Sequence, residues 1–189
     1  MKQLLCGSLG SLATGLLLTV SLSFAGEHAF VGAKKCKTCH LKEYNSWAQT
    51  KMAKAFELLK PGVRAEAKKA AKLDPNKDYT TDAECVGCHV TGHGKAGGFV
   101  DLTTTPDLVG VQCEQCHGAG ATYIEKRYMS LQNKEYKKAE LVAVGLVGEI
   151  TKAQCENCHN SKSPFYKPFD FAARVNEGTH EKFPLKYKH

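Results

Sequence analysis

Beyond residue 25 the sequence has no apolar run long enough to cross a bilayer, which takes about 20 residues, so no transmembrane anchor is expected there. Basic blocks are absent too. Lys and Arg number 26 against 19 Asp and Glu, but the doublets Lys34-Lys35, Lys68-Lys69 and Lys137-Lys138 lie far apart. That dispersal argues against nucleic acid as a partner and reads as solvated helix faces. No acid-base cluster suggests a catalytic centre made of side chains. Histidine and methionine are scarce: outside one recurring pattern, the chain past residue 25 offers only His28, His93, His180, His189, Met52 and Met129. No cysteine past residue 25 falls outside that same pattern.

What is present begins with an export signature. Lys2 supplies a positive start, Leu9 to Leu22 an apolar stretch broken by Ser, Thr and Gly, and Ser23-Phe24-Ala25 a small-x-small cleavage site. Residues 1–25 are therefore expected to be a signal peptide, and 26–189 a single domain in the periplasm or otherwise exported. Cys6 follows Leu5, which is too large for a lipid-attachment site, and is expected to leave with the signal. Cysteines outside the cytoplasm are usually disulfides. Here their spacing points elsewhere.

The pattern is Cys-x-x-Cys-His, four times: Cys36 and Cys39 with His40, Cys85 and Cys88 with His89, Cys113 and Cys116 with His117, Cys155 and Cys158 with His159. Zinc or a redox dithiol accounts for paired cysteines but not for a histidine always set against the second one. Covalent haem attachment accounts for both. Two thiols meet the two vinyl groups on one edge of the porphyrin, and the adjacent imidazole turns beneath the ring to bind iron. Four covalently bound c-type haems are expected, and their propionates would bring the basic chain close to neutral. Four such cofactors in one small domain supply much of its core, so the fold expected is mainly α with little regular secondary structure, built around the haems. The chain without haem is expected to be largely unfolded.

Between the motifs, Tyr44, Ala48, Met52, Ala55 and Leu59 recur at helical spacing and predict a helix over 41–60, ended by Pro61-Gly62. Further helices are expected over 63–73, 137–147 and 170–176, with a short strand at 99–102 before the turn Thr105-Pro106-Asp107. Trp47, Tyr123, Phe165, Tyr166, Phe169 and Phe171 are expected to pack on haem.

The second axial ligand decides whether a haem carries electrons or binds a ligand. A methionine on an apolar helix face is ordinarily core filler, as Met52 and Met129 read in isolation. His93, four residues past His89, is awkwardly placed for the far face of the same haem. His28 and His189 sit near the termini, as surface imidazoles or as ligands to a neighbouring copy.

The stretches "KKCKTCH", "SWAQTKMAKAFELLKPG", "AKLDPNKDYTTDAECVGCHVTGHGKAGGF" and "GVQCEQCHGAG" together resemble the tetrahaem cytochrome c-554 family, exported electron carriers. The resemblance implies a mainly helical fold, haems stacked in pairs, and axial ligands crossed between distant segments. It implies His117 with Met52 at the third haem, where the family has a histidine in place of Met52. At the first haem the family's histidine aligns with Arg127, and Met129 is the candidate beside it. It implies His180 for the fourth haem, and for the second no strong ligand opposite His89. Thioether ligands raise a haem's potential, which would make the haems a graded set.

The function expected is an exported tetrahaem cytochrome relaying single electrons between redox partner proteins. Two alternatives stand beside it. One is reduction of a small nitrogen oxide at an open second haem; the other is a haem subunit of a conductive filament or larger oxidoreductase complex, with self-association.

Overall fold

A computed structural model describes residues 28–185 and 187; the expected signal peptide, Cys6 and His189 lie outside them. Among the described residues the chain is helical and looped. Eight short helices follow one another: α1 (Ala33–Lys37), α2 (Leu41–Ala48), α3 (Ala65–Ala70), α4 (Ala83–Val86), α5 (Cys113–His117), α6 (Lys138–Val142), α7 (Lys152–Glu156) and α8 (Phe171–Arg174). Two 3-10 turns, Ala55–Leu59 and Pro106–Leu108, lie between them. The mainly α expectation holds, with little regular structure.

Four of the eight, α1, α4, α5 and α7, are short because they do one thing, which is to start a Cys-x-x-Cys-His stretch through a single turn. Capping fixes where three of them start. Asp82 accepts from the Glu84 N–H at 3.1 Å, Asp170 from the Ala173 N–H at 3.1 Å, and Thr151 forms a capping box with Gln154.

The helix expected over 41–60 is broken after Ala48. The carbonyl of Met52 accepts from the Val111 N–H at 3.0 Å, and Thr50 Oγ1 accepts from the Ala53 N–H at 3.2 Å. A long-range partner and a local hydroxyl thus take groups that a continuous helix would pair internally. The expected strand at 99–102 is also absent. The Phe99 N–H bonds to Thr91 O, but the Val100 N–H goes to the Thr105 hydroxyl, and Asp101 caps Thr103 and Thr104. Among the described residues the β pairing is one antiparallel bridge, Val90 with Val109.

That bridge carries the core. Phe56, Leu59, Tyr79, Val86, Val90, Phe99 and Leu108 form one buried cluster, with Phe30, Leu73, Cys85 and Val109 packed against it. It lies beside the second motif and joins it to the approach to the third. The Gly110 N–H donates to His89 O at 3.0 Å, and Thr91, fully buried, donates its hydroxyl to Gly110 O and accepts from the Gln112 N–H. Gly110 has φ +81° and a Cβ there would stand 2.5 Å from Ala53 O, so the crossing of these segments requires glycine.

Candidate haem centre

Each motif folds as the chemistry demands. His40 donates its N–H to Cys36 O at 2.9 Å and His159 donates to Cys155 O at 2.9 Å, while α5 spans the whole of Cys113 to His117. In the second motif, the Cys88 N–H bonds to Cys85 O and the His89 N–H to Val86 O. In a helical turn, residues at i, i+3 and i+4 share a face, so both thiols and the imidazole of each motif face the same way. All eight of these cysteines are free thiols. This donor set fits a c-type haem, which consumes two unpaired thiols and one neutral imidazole at each motif.

The motifs are not scattered. The Cys36 thiol hydrogen-bonds to the Cys113 thiol, which raises Cys36's pKa and lowers that of Cys113. The Cys158 thiol meets that of Cys88, and burial first, then this neighbour, pushes it well up. Cys116 is pushed up to about 11, by burial first and then by nearby Cys155. Read through these contacts, the motifs form a row in the order one, three, four, two.

Residues inside and beside the motifs hold that row together. Glu114, between the cysteines of motif three, is only 1% exposed and accepts from the backbone N–H groups of Val31, Gly32 and Gly120 at 2.7–3.1 Å. It thereby ties the approach to motif one onto the loop after motif three. Gln112 adds a second tie, accepting from the Ala33 N–H at 2.6 Å and donating to Asp107 O and Val109 O. Gln154, just before Cys155, donates to Cys116 O at 3.2 Å and so joins motif four to motif three. Gly118, at φ +85°, lets Gly145 O approach where a Cβ would stand. None of these positions was legible as functional from sequence, because haem attachment constrains only the cysteines and histidine of each motif.

The candidate axial ligands fare differently. His89 donates Nδ1–H to Ala55 O at 2.7 Å, which leaves Nε2 bare for iron. His40 and His180 both lie close enough to His117 to hold its imidazole below the ordinary pKa, after the larger effect of burial. The ring centres of His117 and His180 are 6.2 Å apart with planes inclined at 37°. The resemblance implies His180 at the fourth haem, beside His159. The His159 ring instead stacks on Phe169 at 4.5 Å, and the tail is drawn to the other side by the Glu181 N–H bonding to Ser46 Oγ at 2.9 Å.

Met52 is half-buried on the turn before the first 3-10 helix, not on a helix. Met129 is half-buried, its N–H bonded to Glu125 O, on a turn where the guanidinium of Arg127 pairs with Glu125 at 2.9 Å and covers Tyr128. His93 is exposed, in contact range of Gly87 in motif two. His28 is held rather than loose: Nδ1 bonds Thr122 Oγ1 at 2.8 Å, and the ring lines a cavity of about 360 Å³ with Gln115 and Gln154. Of the aromatic residues expected on haem, Tyr123 is buried, whereas Phe165 and Tyr166 are exposed. Trp47 donates Nε1–H to Val111 O at 2.9 Å, bridging α2 to the approach of motif three.

Comparison with known proteins agrees with this geometry. The family described as cytochrome c554 and c-prime matches residues 35–118. Cytochrome c-554 of Nitrosomonas europaea is 42% identical over 165 residues, covering 80% of this chain and 70% of that relative. The chain belongs to the cytochrome c554 family. The solved reduced state of cytochrome c554 from Nitrosomonas europaea superposes with a TM-score of 0.75 at 37% identity, over 85% of this chain and 89% of that one. A cytochrome c554 is a multihaem c-type cytochrome and an electron carrier, with haem bound covalently. No helix among the described residues is long and apolar enough to cross a membrane.

Proposed function

We propose that this chain is an exported tetrahaem cytochrome that passes single electrons between redox partner proteins, with residues 1–25 as its signal and 26–189 as one haem-binding domain. Four haems are held by Cys36 and Cys39, Cys85 and Cys88, Cys113 and Cys116, and Cys155 and Cys158. His40, His89, His117 and His159 are the proximal ligands, and the distal ligands are drawn from His180, Met52 and Met129. When bound, the haem irons supply one-electron redox chemistry.

The observation that carries this reading is the close succession of the four motifs, one to three to four to two. A carrier needs its redox centres in close succession, and the chain spends its buried polar groups on that succession. Glu114 and Gln112 hold motif one to motif three; Gln154 holds motif four to motif three. The His89 Nδ1–H bond to Ala55 O fixes that imidazole's tautomer and orientation, as outer hydrogen bonds do for metal-bound histidines.

The test has two parts, made on protein from a host that matures c-type cytochromes. Intact mass should show four haem additions on a chain that begins after residue 25. Stepwise reductive titration should then take up four electrons, with rapid exchange to a small soluble redox protein. Fewer than four additions, or irons that exchange no electrons with protein partners, would refute the proposal.

A further inference from the structure

We propose that His117 and His180 are the two axial ligands of the third haem iron. This rests on the tetrahaem reading above and deepens it by assigning one distal ligand.

Three observations converge. Two imidazoles bound end-on to opposite sides of one metal ion, at about 2.0 Å per metal–nitrogen bond, have ring centres about 6 Å apart. His117 and His180 stand at 6.2 Å. The second observation is the tautomer. His180 Nδ1 lies 2.7 Å from Glu181 O, and a carbonyl only accepts, so Nδ1 carries the proton and Nε2 keeps its lone pair. His89, a motif histidine, is prepared in the same way by Ala55 O at 2.7 Å.

The third observation is that His180 is held in place. The Glu181 N–H bonds Ser46 Oγ at 2.9 Å, and Lys42 Nζ sits 5.8 Å over the Phe183 ring, so residues flanking His180 are fastened to α2, directly after motif one. Motif one is itself tied to motif three through Glu114. The tail therefore arrives beside His117 through contacts made on α2, which motif one's tie to motif three brings near. The His159 ring, by contrast, stacks on Phe169 with ring centres 4.5 Å apart.

The assignment departs from what the resemblance implies at two irons. It takes Met52 off the third iron and His180 off the fourth. Its redox consequence is directional: a bis-imidazole iron lies at lower potential than one with a thioether ligand.

The experiment uses the holoproteins of His180→Met, His117→Met, His159→Met and the double variant His117→Met/His180→Met. Each is checked by mass for four haems, and near-infrared magnetic circular dichroism counts bis-imidazole and imidazole–thioether irons. His180→Met and His117→Met should each remove one bis-imidazole iron per chain. The double variant should remove that same one and no more, and His159→Met should leave it intact. In His180→Met one midpoint potential should rise. The assignment is overturned if His159→Met removes the signal that His180→Met removes, if His117→Met leaves the count unchanged, or if the double variant loses two. Should His117→Met fail to mature, the comparison of His159→Met with His180→Met decides alone: loss of the same signal overturns, its retention supports. Wild-type protein with fewer than four haems by mass sinks the tetrahaem reading and this assignment with it.

Discussion

Replacing Glu114 should do more damage than replacing any other carboxylate in the chain's described part, because its oxygens are the sole side-chain acceptors for three buried or half-buried backbone donors. The N–H groups of Val31, Gly32 and Gly120 all point at it, at 2.7–3.1 Å. In Glu114→Ala those donors lose their partner, at about 1–3 kcal/mol for each donor that stays dry. Water entering the vacated space recovers part of this, so the net loss should be about 3–5 kcal/mol. Glu114→Gln keeps the shape but turns one oxygen into an NH2 group facing an N–H, which should cost about 2 kcal/mol. For a chain of this size each kcal/mol lowers the melting temperature by about 2–4 °C, so Glu114→Ala should melt on the order of 10 °C lower. Trp47, the single tryptophan, sits within the tied region and its emission should be quenched by haem in the folded state, so denaturant unfolding can be followed by its recovery. Glu66, exposed and paired only with Lys69 on the same helix, is the control, and its Gln variant should be silent. A Glu114→Ala holoprotein that melts within 2 °C of wild type would refute the claim that this carboxylate binds motif one to motif three.

Four further outcomes follow from the same geometry. Gly110→Ala should cost about 1–3 kcal/mol, since it sets a methyl group against Ala53 O at a left-handed φ, and thermal melting of the holoprotein checks it. Thr151→Ala removes the cap of α7 and should cost about 1 kcal/mol, read in the same assay as a drop of a few degrees. Asp82 is held below the usual carboxylate pKa by the Lys77 ammonium first and then by the Glu84 N–H. A depressed carboxyl stabilises the fold above its unfolded pKa and loses that contribution as pH falls through the folded value, so Asp82→Asn should flatten the acid limb of the stability profile below about pH 4. The ferrous protein should bind carbon monoxide at the iron of His89; a Soret band that does not move under carbon monoxide would mean that this iron has a second ligand.

What the sequence carried plainly was the chemistry whose atoms dictate spacing. Two vinyl groups and one iron fix where two thiols and an imidazole must stand, so all four motifs could be read without any fold. The scaffold between them was less readable for a specific reason. Apolar residues at helical spacing over 41–60 describe a preference of the local chain, but the Met52 carbonyl is claimed by Val111, a partner that local periodicity does not encode. The same holds for Glu114, which occupies a position where any residue satisfies haem attachment, and which is meaningful only once Val31 and Gly120 are beside it.

The order of the motifs in space shows most clearly why sequence order misleads here. Motif two follows motif one along the chain, yet its thiol neighbour is Cys158 of motif four, and motif one pairs with motif three. This crossing explains how distal ligands can come from remote segments. His180 is a case in point: it follows motif four along the chain, yet the Glu181–Ser46 bond fastens the tail to α2 and the ring centre of His180 lies 6.2 Å from that of His117. On this logic Ser46→Ala should weaken His180 ligation while leaving haem attachment untouched, because the serine acts only on where the tail lies. Imidazole added to the Ser46→Ala holoprotein should then bind at one iron that is closed in wild type. If that iron stays closed, the tail is placed by something other than α2.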